Sequence, residues 1–224
     1  YICIQPLKFR QKKLPYFLEG PVHYLRVIQD KKQAKKLHYE ISNSELFDKK
    51  LKMFKLNAPL KNVSIDIGRI TVFPAGWLEN ESIWMHMEYK YLLEILKSEN
   101  TNLFYQEAKN CLIPFLNPEV YRRSIFENVS FIASSANPDE RIHGMGFAAR
   151  LSGSTAEFYN MLIVMAFGNK PFYLDSEKKL CLKFEPKLAG FLFTENTSEI
   201  PYYKGKEIEK IFVPANYFVM KFLK

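Results

Sequence analysis

Cysteine is scarce in this chain: its three residues, Cys3, Cys111 and Cys181, are far apart and never form a Cys-x-x-Cys pair. The sequence therefore predicts neither a disulfide framework nor a metal site. A run of about 18 apolar residues, the length that spans a bilayer, is also missing. We accordingly expect a cytoplasmic protein with no membrane partner, and we expect further sequence before Tyr1, which stands where an initiator methionine would.

Internal repeats, low-complexity tracts and a phosphate-binding loop of the form G-x-x-x-x-G-K are missing as well. What the chain does have is 224 residues with 47% hydrophobic content, including 19 Phe and 13 Tyr. This is enough for a large core, in which we expect most of the aromatic rings. The net charge of +8 comes mainly from lysine clusters in the first quarter, interleaved with acidic residues. Such clusters are typical of solvated helix faces, so we expect no nucleic-acid partner.

Apolar spacing divides the chain into a mainly helical first part and a β-rich last part. It predicts helices over about 21–40, 42–55, 81–98, 101–113 and 154–168. Asn80 or Ser82 is the expected N-cap of the third helix. A non-helical stretch follows over 114–150. It is long for a connection, and ordered loops of such length often form binding sites. From residue 171 onward, several segments predict strands, among them "GFLFTE" (190–195).

The segment "RLSGSTAEF" (150–158) places five small residues, 152–156, at the start of a predicted helix. Such a turn presents unpaired backbone N–H groups and the positive end of the helix dipole, to which Ser and Thr hydroxyl groups add donors. It is suited to an anion, but Ser and Thr are also ordinary helix caps. The residues by themselves leave both interpretations open.

A second segment, "GWLENESIWMHMEY" (76–89), gathers indole, carboxylate, amide and imidazole groups at a turn and the beginning of a helix. These groups belong to Trp77, Glu79, Asn80, Trp84 and His86. Carboxylates and amides bind sugar hydroxyl groups, and indole rings cover the apolar face of a pyranose. The segment is a candidate sugar site. His86, and likewise His143 farther on, by itself also fits a core histidine whose ring is hydrogen-bonded inside the protein.

Three segments resemble motifs of one known family. "ENESIWMH" (79–86) is similar to E-N-G-G-I-F-x-H, and "RIHGMGFAARLSGSTAEF" (141–158) is similar to R-F-G-x-G-x-F-x-W-L-T-G-T-A-S-W. Downstream, "KLCLKFEPKLAGFLF" (179–193) resembles the strand L-x-I-x-P-x-I-P-x-x-W. These motifs are those of the cellobiose and chitobiose phosphorylases, glycoside hydrolase family 94. The resemblance covers about residues 70–195.

The resemblance implies a mainly α protein with a C-terminal β region. Residues 1–170 would form the C-terminal part of an (α/α)6 toroid, the six-hairpin glycosidase fold, and residues 171–224 a small, truncated β domain. It implies a cytoplasmic carbohydrate-active enzyme of the glycosyltransferase type, which cleaves a β-linked disaccharide or oligosaccharide by inverting phosphorolysis and yields a sugar 1-phosphate. Inorganic phosphate is then the co-substrate, and no other cofactor or metal is expected.

The resemblance also assigns site residues to two groups. The phosphate-binding group is His86, Ser152 and Gly153. The sugar-binding group consists of Glu79, which matches the acceptor-sugar glutamate of the family, together with Asn80, Trp77 and Arg141. Phosphate and a disaccharide or oligosaccharide are therefore the expected partners of the site.

The chain departs from the family motifs at several positions. Glu81 and Ser82 replace two glycines, and Ser152 replaces a threonine. Where the family motif ends in tryptophan, this chain has Glu157 or Phe158. We expect the carboxylate of Glu81 to narrow the acceptor pocket or to repel phosphate.

The general acid of the family, an aspartate, lies farther upstream than the 78 residues that precede Glu79. We therefore expect the acid before Tyr1, and we expect this chain to be the C-terminal part of a longer enzyme and inactive by itself. Two alternatives stay open: an inverting hydrolase on the same barrel, and a non-enzymatic carbohydrate-binding or scaffold module. The sugar, its linkage and the formation of a homodimer are also left open by the sequence.

Overall fold

The computed structural model describes residues 3, 5–9, 11–28, 30–149 and 152–220, and for Ser152 the backbone only. Within these ranges the secondary structure is mixed, with six α-helices and four small antiparallel sheets. No helix in the described ranges combines the length and the apolar character that a membrane span requires.

The helices lie mostly in the first three quarters of the chain. They are α1 (Glu19–Val27), α2 (Lys31–Ser42), α3 (Met85–Lys97), α4 (Thr101–Cys111), α5 (Pro118–Tyr121) and α6 (Ser152–Phe167). Five strands lie between these helices in the sequence, three before α3 and two before α6. They are β1 (Phe47–Asp48), β2 (Met53–Phe54), β3 (Ile83–Trp84), β4 (Phe131–Ile132) and β5 (Gly146–Phe147). The pair β1–β2 and the sheet β3–β4–β5 are both antiparallel throughout.

Helix α3 forms the centre of the core. Ten of its 13 residues are buried, because α1, α4 and α6 all pack against it. Its apolar residues nearly encircle the helix, as burial on several sides requires. The rings of Tyr89 on α3 and Phe158 on α6 lie 5.8 Å apart, and at the other end Asn169, just after α6, donates a hydrogen bond to the carbonyl of Lys97. The two helices are therefore parallel.

The sheet β3–β4–β5 explains why α3 and α6 are parallel. Because β3 and β5 are each antiparallel to β4, they run in the same direction. Helix α3 follows β3 directly, and α6 follows β5 after residues 148–151. Both helices consequently begin at the same end of the sheet.

The helix predicted over 42–55 is wrong, because this segment forms a turn between β1 and β2. The carboxylate of Asp48 accepts hydrogen bonds from the backbone N–H groups of Lys50 and Leu51. Lys52 has a φ of 56°, which interrupts a right-handed helix. Local bonding by an aspartate side chain thus replaces the helical hydrogen bonds.

Three further predictions are corrected by the structure. The single helix expected over 21–40 is interrupted, because Ile28 and Asp30 have extended backbone between α1 and α2. Helix α3 begins at Met85 with Trp84 as its N-cap, instead of Asn80 or Ser82, because residues 83–84 pair with β4. The segment 190–192 is a 3-10 helix instead of a strand, since its N–H groups bond to carbonyls of the same turn.

The described residues after α6 contain two hairpins. Strands β6 (Phe172–Leu174) and β7 (Leu180–Leu182) form one antiparallel pair, and β8 (Ser198–Lys204) and β9 (Glu207–Val213) form the other. After α6 ends at Phe167 the described elements are strands and one 3-10 helix, which agrees with the β-rich last part, whereas the short strands β1–β5 of the first part were not predicted. A division of the chain into two domains stays a prediction.

Candidate functional site

The beginnings of α3 and α6 meet at His86 and Gly153, each the second residue of its helix. A Cβ atom added to Gly153 would lie 2.8 Å from Nδ1 and 3.1 Å from Cγ and Cε1 of His86. At these distances an added side chain would force the imidazole to shift, so glycine lets the first turn of α6 approach the ring where it stands. The structure thus joins two residues of the predicted phosphate-binding group. The side chain of the third, Ser152, lies outside the described part of the chain.

Glu157 lies on the same face of α6 as Gly153, one turn later. Its Oε1 atom is 3.6 Å from Nε2 of His86. The imidazole is thus flanked by the backbone of α6 and by a carboxylate. About one third of the His86 side chain remains exposed, at 33%, so that a solute can reach the ring.

The junction of the two helices is suited to an anion. Each helix beginning presents backbone N–H groups and the positive end of a helix dipole. Trp84 makes no side-chain cap hydrogen bond to α3, and of the N–H groups in that first turn the one of Met85 donates to the carbonyl of Ser130. The imidazole of His86 adds a donor when the ring nitrogen facing the ligand is protonated. The carboxylate of Glu157 opposes an anion, and its charge has to be balanced by these donors.

Glu79 lies in a closed turn formed by residues 77–80. The backbone N–H of Trp77 donates to the carbonyl of Asn80 at 3.1 Å, and the N–H of Asn80 donates back to Trp77 at 3.0 Å. The carboxylate of Glu79 accepts a hydrogen bond from Nη2 of Arg69 at 2.7 Å, and a quarter of the side chain, 26%, is exposed. Glu79 is therefore held in place and remains accessible to a ligand.

The neighbouring Asn80 has an unsatisfied acceptor. Its Nδ2 donates to the carbonyl of Phe73 at 2.7 Å, and this bond fixes the orientation of the amide. Its Oδ1 atom is buried and has no hydrogen-bond partner among the described residues. A buried acceptor without a partner costs about 1–3 kcal/mol, which a donor from a ligand would offset.

Aromatic rings support the turn from the sheet. Trp84, Phe131 and Phe147 form a row across β3, β4 and β5, with ring centroids 6.0 and 5.4 Å apart and nearly parallel planes. The indole of Trp77 packs edge-on against this row, 4.5 Å from Phe147. Trp77 and Trp84 are both partly exposed. The row thereby connects the turn 77–80 to the end of the sheet where α3 and α6 begin.

Two other residues of the segment 141–158 have structural partners. The guanidinium of Arg141 is exposed and pairs with both oxygens of Asp139, at 2.9 and 2.8 Å. These hydrogen bonds lower the pKa of Asp139 to about 2. Among the described residues, Arg141 makes no hydrogen bond or ion pair to His86 or Glu79. The structure therefore does not bring this predicted sugar-binding residue into contact with the others.

His143 is occupied at both ring nitrogens. Nε2 lies 2.8 Å from the carbonyl oxygen of Asn137, and Nδ1 lies 2.8 Å from Nζ of Lys50. Because the carbonyl can only accept, Nε2 carries the hydrogen and Nδ1 accepts from the ammonium group. His143 thus connects the loop around Asn137 to the β1–β2 turn and has no free ring nitrogen for a ligand.

The carboxylate of Glu81 lies in an ion pair inside the protein, and its expected effect on the acceptor pocket or on phosphate stays a prediction. Its Oε2 atom is 2.7 Å from Nζ of Lys55, and both side chains are buried. Sequence reasoning also assigned no role to Lys55, Arg69 and Glu157. Lys55 lies 26 residues before Glu81, and no local pattern signals such a pairing. Glu157 could have been found from its spacing of four residues after Gly153.

Comparison of the sequence with models of known protein families gives no match, and no curated protein matches it. The relation to glycoside hydrolase family 94 therefore stays a resemblance. It rests on the residues of the three segments 79–86, 141–158 and 179–193.

Proposed function

We propose that this chain is the C-terminal part of an inverting glycoside phosphorylase, a cytoplasmic enzyme built on an (α/α)6 toroid. The contact between His86 and Gly153 carries the proposal. These residues are 67 positions apart in the sequence (153 − 86) and come from two different motifs. That each motif contributes a residue to one helix junction supports a shared ligand. The parallel arrangement of α3 and α6 also agrees with the inner helices of such a toroid.

In this proposal the helix junction binds inorganic phosphate, and the turn 77–80 binds the acceptor sugar. A phosphate oxygen attacks the anomeric carbon from the face opposite the leaving group, so that the new C–O bond forms as the glycosidic bond breaks. A general acid upstream of Tyr1 protonates the leaving oxygen. Glu79 accepts from sugar hydroxyl groups. Backbone N–H groups and His86 stabilise the phosphate charge.

One observation favours a second candidate, an inverting hydrolase on the same fold. The carboxylate of Glu157 lies beside the proposed anion position, 3.6 Å from His86. In an inverting hydrolase, a carboxylate activates water where phosphate would otherwise attack. Glu157 would then be the general base, and phosphate would have no role.

Calorimetric titration with inorganic phosphate, with and without glucose, tests the proposal. We expect His86→Ala and Gly153→Ala each to weaken phosphate binding by about 10-fold to 100-fold, the effect of one hydrogen bond to a charged group. The alanine Cβ at position 153 would displace the imidazole. His23→Ala is the matched control, because His23 is an exposed histidine on α1.

Glu157→Gln separates the two candidates. In the phosphorylase, removal of the negative charge strengthens phosphate binding. In the hydrolase, the same substitution in the longer enzyme abolishes turnover, and phosphate leaves the rate unchanged. A folded wild-type chain that binds no phosphate, or equal binding by wild type and His86→Ala, would contradict the phosphorylase.

A further inference from the structure

Glu81 occupies a backbone conformation that favours glycine. Its φ is 55°, in the left-handed region, where a residue other than glycine is strained. The motif that this segment resembles has glycine at the same position. A glutamate there needs contacts that hold it in place, and the structure shows which residues supply them.

Lys55 and the two residues that follow it hold Glu81 from two sides. The ammonium of Lys55 binds the carboxylate at 2.7 Å, with side-chain exposures of only 11% and 5%. The amide oxygen of Asn57 accepts the backbone N–H of Glu81 at 3.0 Å, and the N–H of Leu56 donates to the carbonyl of Ser82 at 2.8 Å. A buried charge is strongly disfavoured when its partner is missing. The Glu81 carboxylate therefore has one favourable position, beside Lys55.

The conformation at Glu81 sets the direction of the turn that precedes it. Residues 77–80 are closed on themselves by the two hydrogen bonds between Trp77 and Asn80, so the turn moves as a unit. Glu79 belongs to that unit. His86 is held differently, by the packing of α3 on α6 and by its contact with Gly153.

We infer that Lys55, acting through Glu81, is a positioning residue that fixes the turn 77–80, and with it the sugar-binding side of the site, but not the phosphate-binding side. The assignment of sugar to this turn rests on the proposed function. The positioning itself can be tested without any ligand.

The ligand-free test uses the indole N–H signals of the chain in ¹H–¹⁵N correlation spectra. The sequence has two tryptophans: Trp77 lies in the turn, and Trp84 lies on β3. Lys55→Met leaves the Glu81 carboxylate unpaired, and we expect it to shift the Trp77 signal more than the Trp84 signal. Lys55→Met/Glu81→Gly, which removes the unpaired charge and the strained residue together, should return the Trp77 signal to its wild-type position.

Two further variants make the test decisive. Glu81→Gln keeps the side-chain volume but removes the ion pair, and it should shift Trp77 in the same direction even if Lys55→Met does not fold. Lys32→Met makes the same chemical change at an exposed lysine on α2 and should leave both signals in place. An unchanged Trp77 signal in the folded Lys55→Met or Glu81→Gln variant would overturn the inference.

The ligand-binding test measures dissociation constants for glucose and inorganic phosphate on the same samples. We expect Lys55→Met to weaken glucose binding by about tenfold with little change for phosphate, and the double variant to recover glucose binding. An ion pair that only stabilises the fold would change both affinities together or neither, and either result would contradict the inference. If the wild-type chain binds neither ligand, the proposed function fails, and the Trp77 signal still decides whether Lys55 positions the turn.

Discussion

Replacing Glu88 by glutamine is expected to abolish most of the decrease in the free energy of unfolding that the wild-type protein shows between about pH 5 and pH 8. Glu88 lies on α3 and is fully buried. The backbone N–H of Phe54 points at both of its carboxyl oxygens, at 3.3 and 3.2 Å. Burial is the largest effect on this group and raises its pKa from 4.5 to about 8, and the negative charge of Glu107 acts in the same direction. The folded protein therefore keeps Glu88 protonated at neutral pH.

The folded and the unfolded protein bind different numbers of protons between pH 4.5 and about pH 8, and this difference makes stability depend on pH. The unfolded chain releases the Glu88 proton near pH 4.5, whereas the folded protein holds it up to about pH 8. Between these values the folded state binds one more proton, so the free energy of unfolding falls as the pH rises. At about 1.4 kcal/mol per pH unit, the loss approaches about 5 kcal/mol over the whole range.

Urea denaturation at several pH values between 5 and 8 checks this prediction. A glutamine stays neutral and can still accept the N–H of Phe54, so Glu88→Gln should have a flatter stability profile than the wild type. Glu119→Gln is the matched control, because Glu119 is an exposed glutamate on α5 and should leave the slope unchanged. Equal slopes for wild type and Glu88→Gln would show that the buried carboxyl group is not the source of the pH dependence.

Replacing Gly76 by alanine is expected to lower the free energy of unfolding by about 3 kcal/mol, which is close to 10 °C in melting temperature for a chain of this size. Gly76 has a φ of 73°, and an added Cβ would lie 2.4 Å from the backbone nitrogen of Asn137. The neighbouring atom is backbone, so it cannot move aside like the end of a flexible side chain. Because Gly76 directly precedes the turn 77–80, the substitution should also displace Glu79.

Gly205→Ala separates the two sources of this destabilisation. Gly205 has a similar φ of 64°, but no atom lies within 4 Å of an added Cβ. Its replacement should therefore cost only the conformational strain, about 1 kcal/mol. Thermal unfolding of both variants gives the comparison, and equal melting temperatures would show that the approach of Asn137 to Gly76 is not a tight contact.

Local signals in the sequence were sufficient for several elements. The apolar spacing predicted α4 and α6, because Pro114 follows the first closely and Gly168 follows the second, and both are helix stop signals. The strands of the two C-terminal hairpins were also visible as β-rich segments between turn residues. These elements depend on residues only a few positions apart, and such patterns can be read directly from the chain.

The same local signals do not predict the structure where a side chain or a distant strand takes the hydrogen bonds that a helix would use. The segment 42–55 has helix-like spacing, but the hydrogen bonds that the Asp48 carboxylate accepts from Lys50 and Leu51 favour a hairpin. The start of α3 was misplaced because residues 83–84 pair with β4, 47 positions later. A pairing of that range adds hydrogen bonds that no local pattern contains.

By itself, the sequence determined the helical first part, the β-rich last part, and the two motifs that contain His86 and Gly153. Only the tertiary structure decided that these two residues touch, that Glu81 faces Lys55, and that Glu88 keeps its proton. The physical reason is shared by all three: close approach, ion pairing in the interior and desolvation depend on which distant segments pack together. That packing is set by the sheet β3–β4–β5 and the burial of α3.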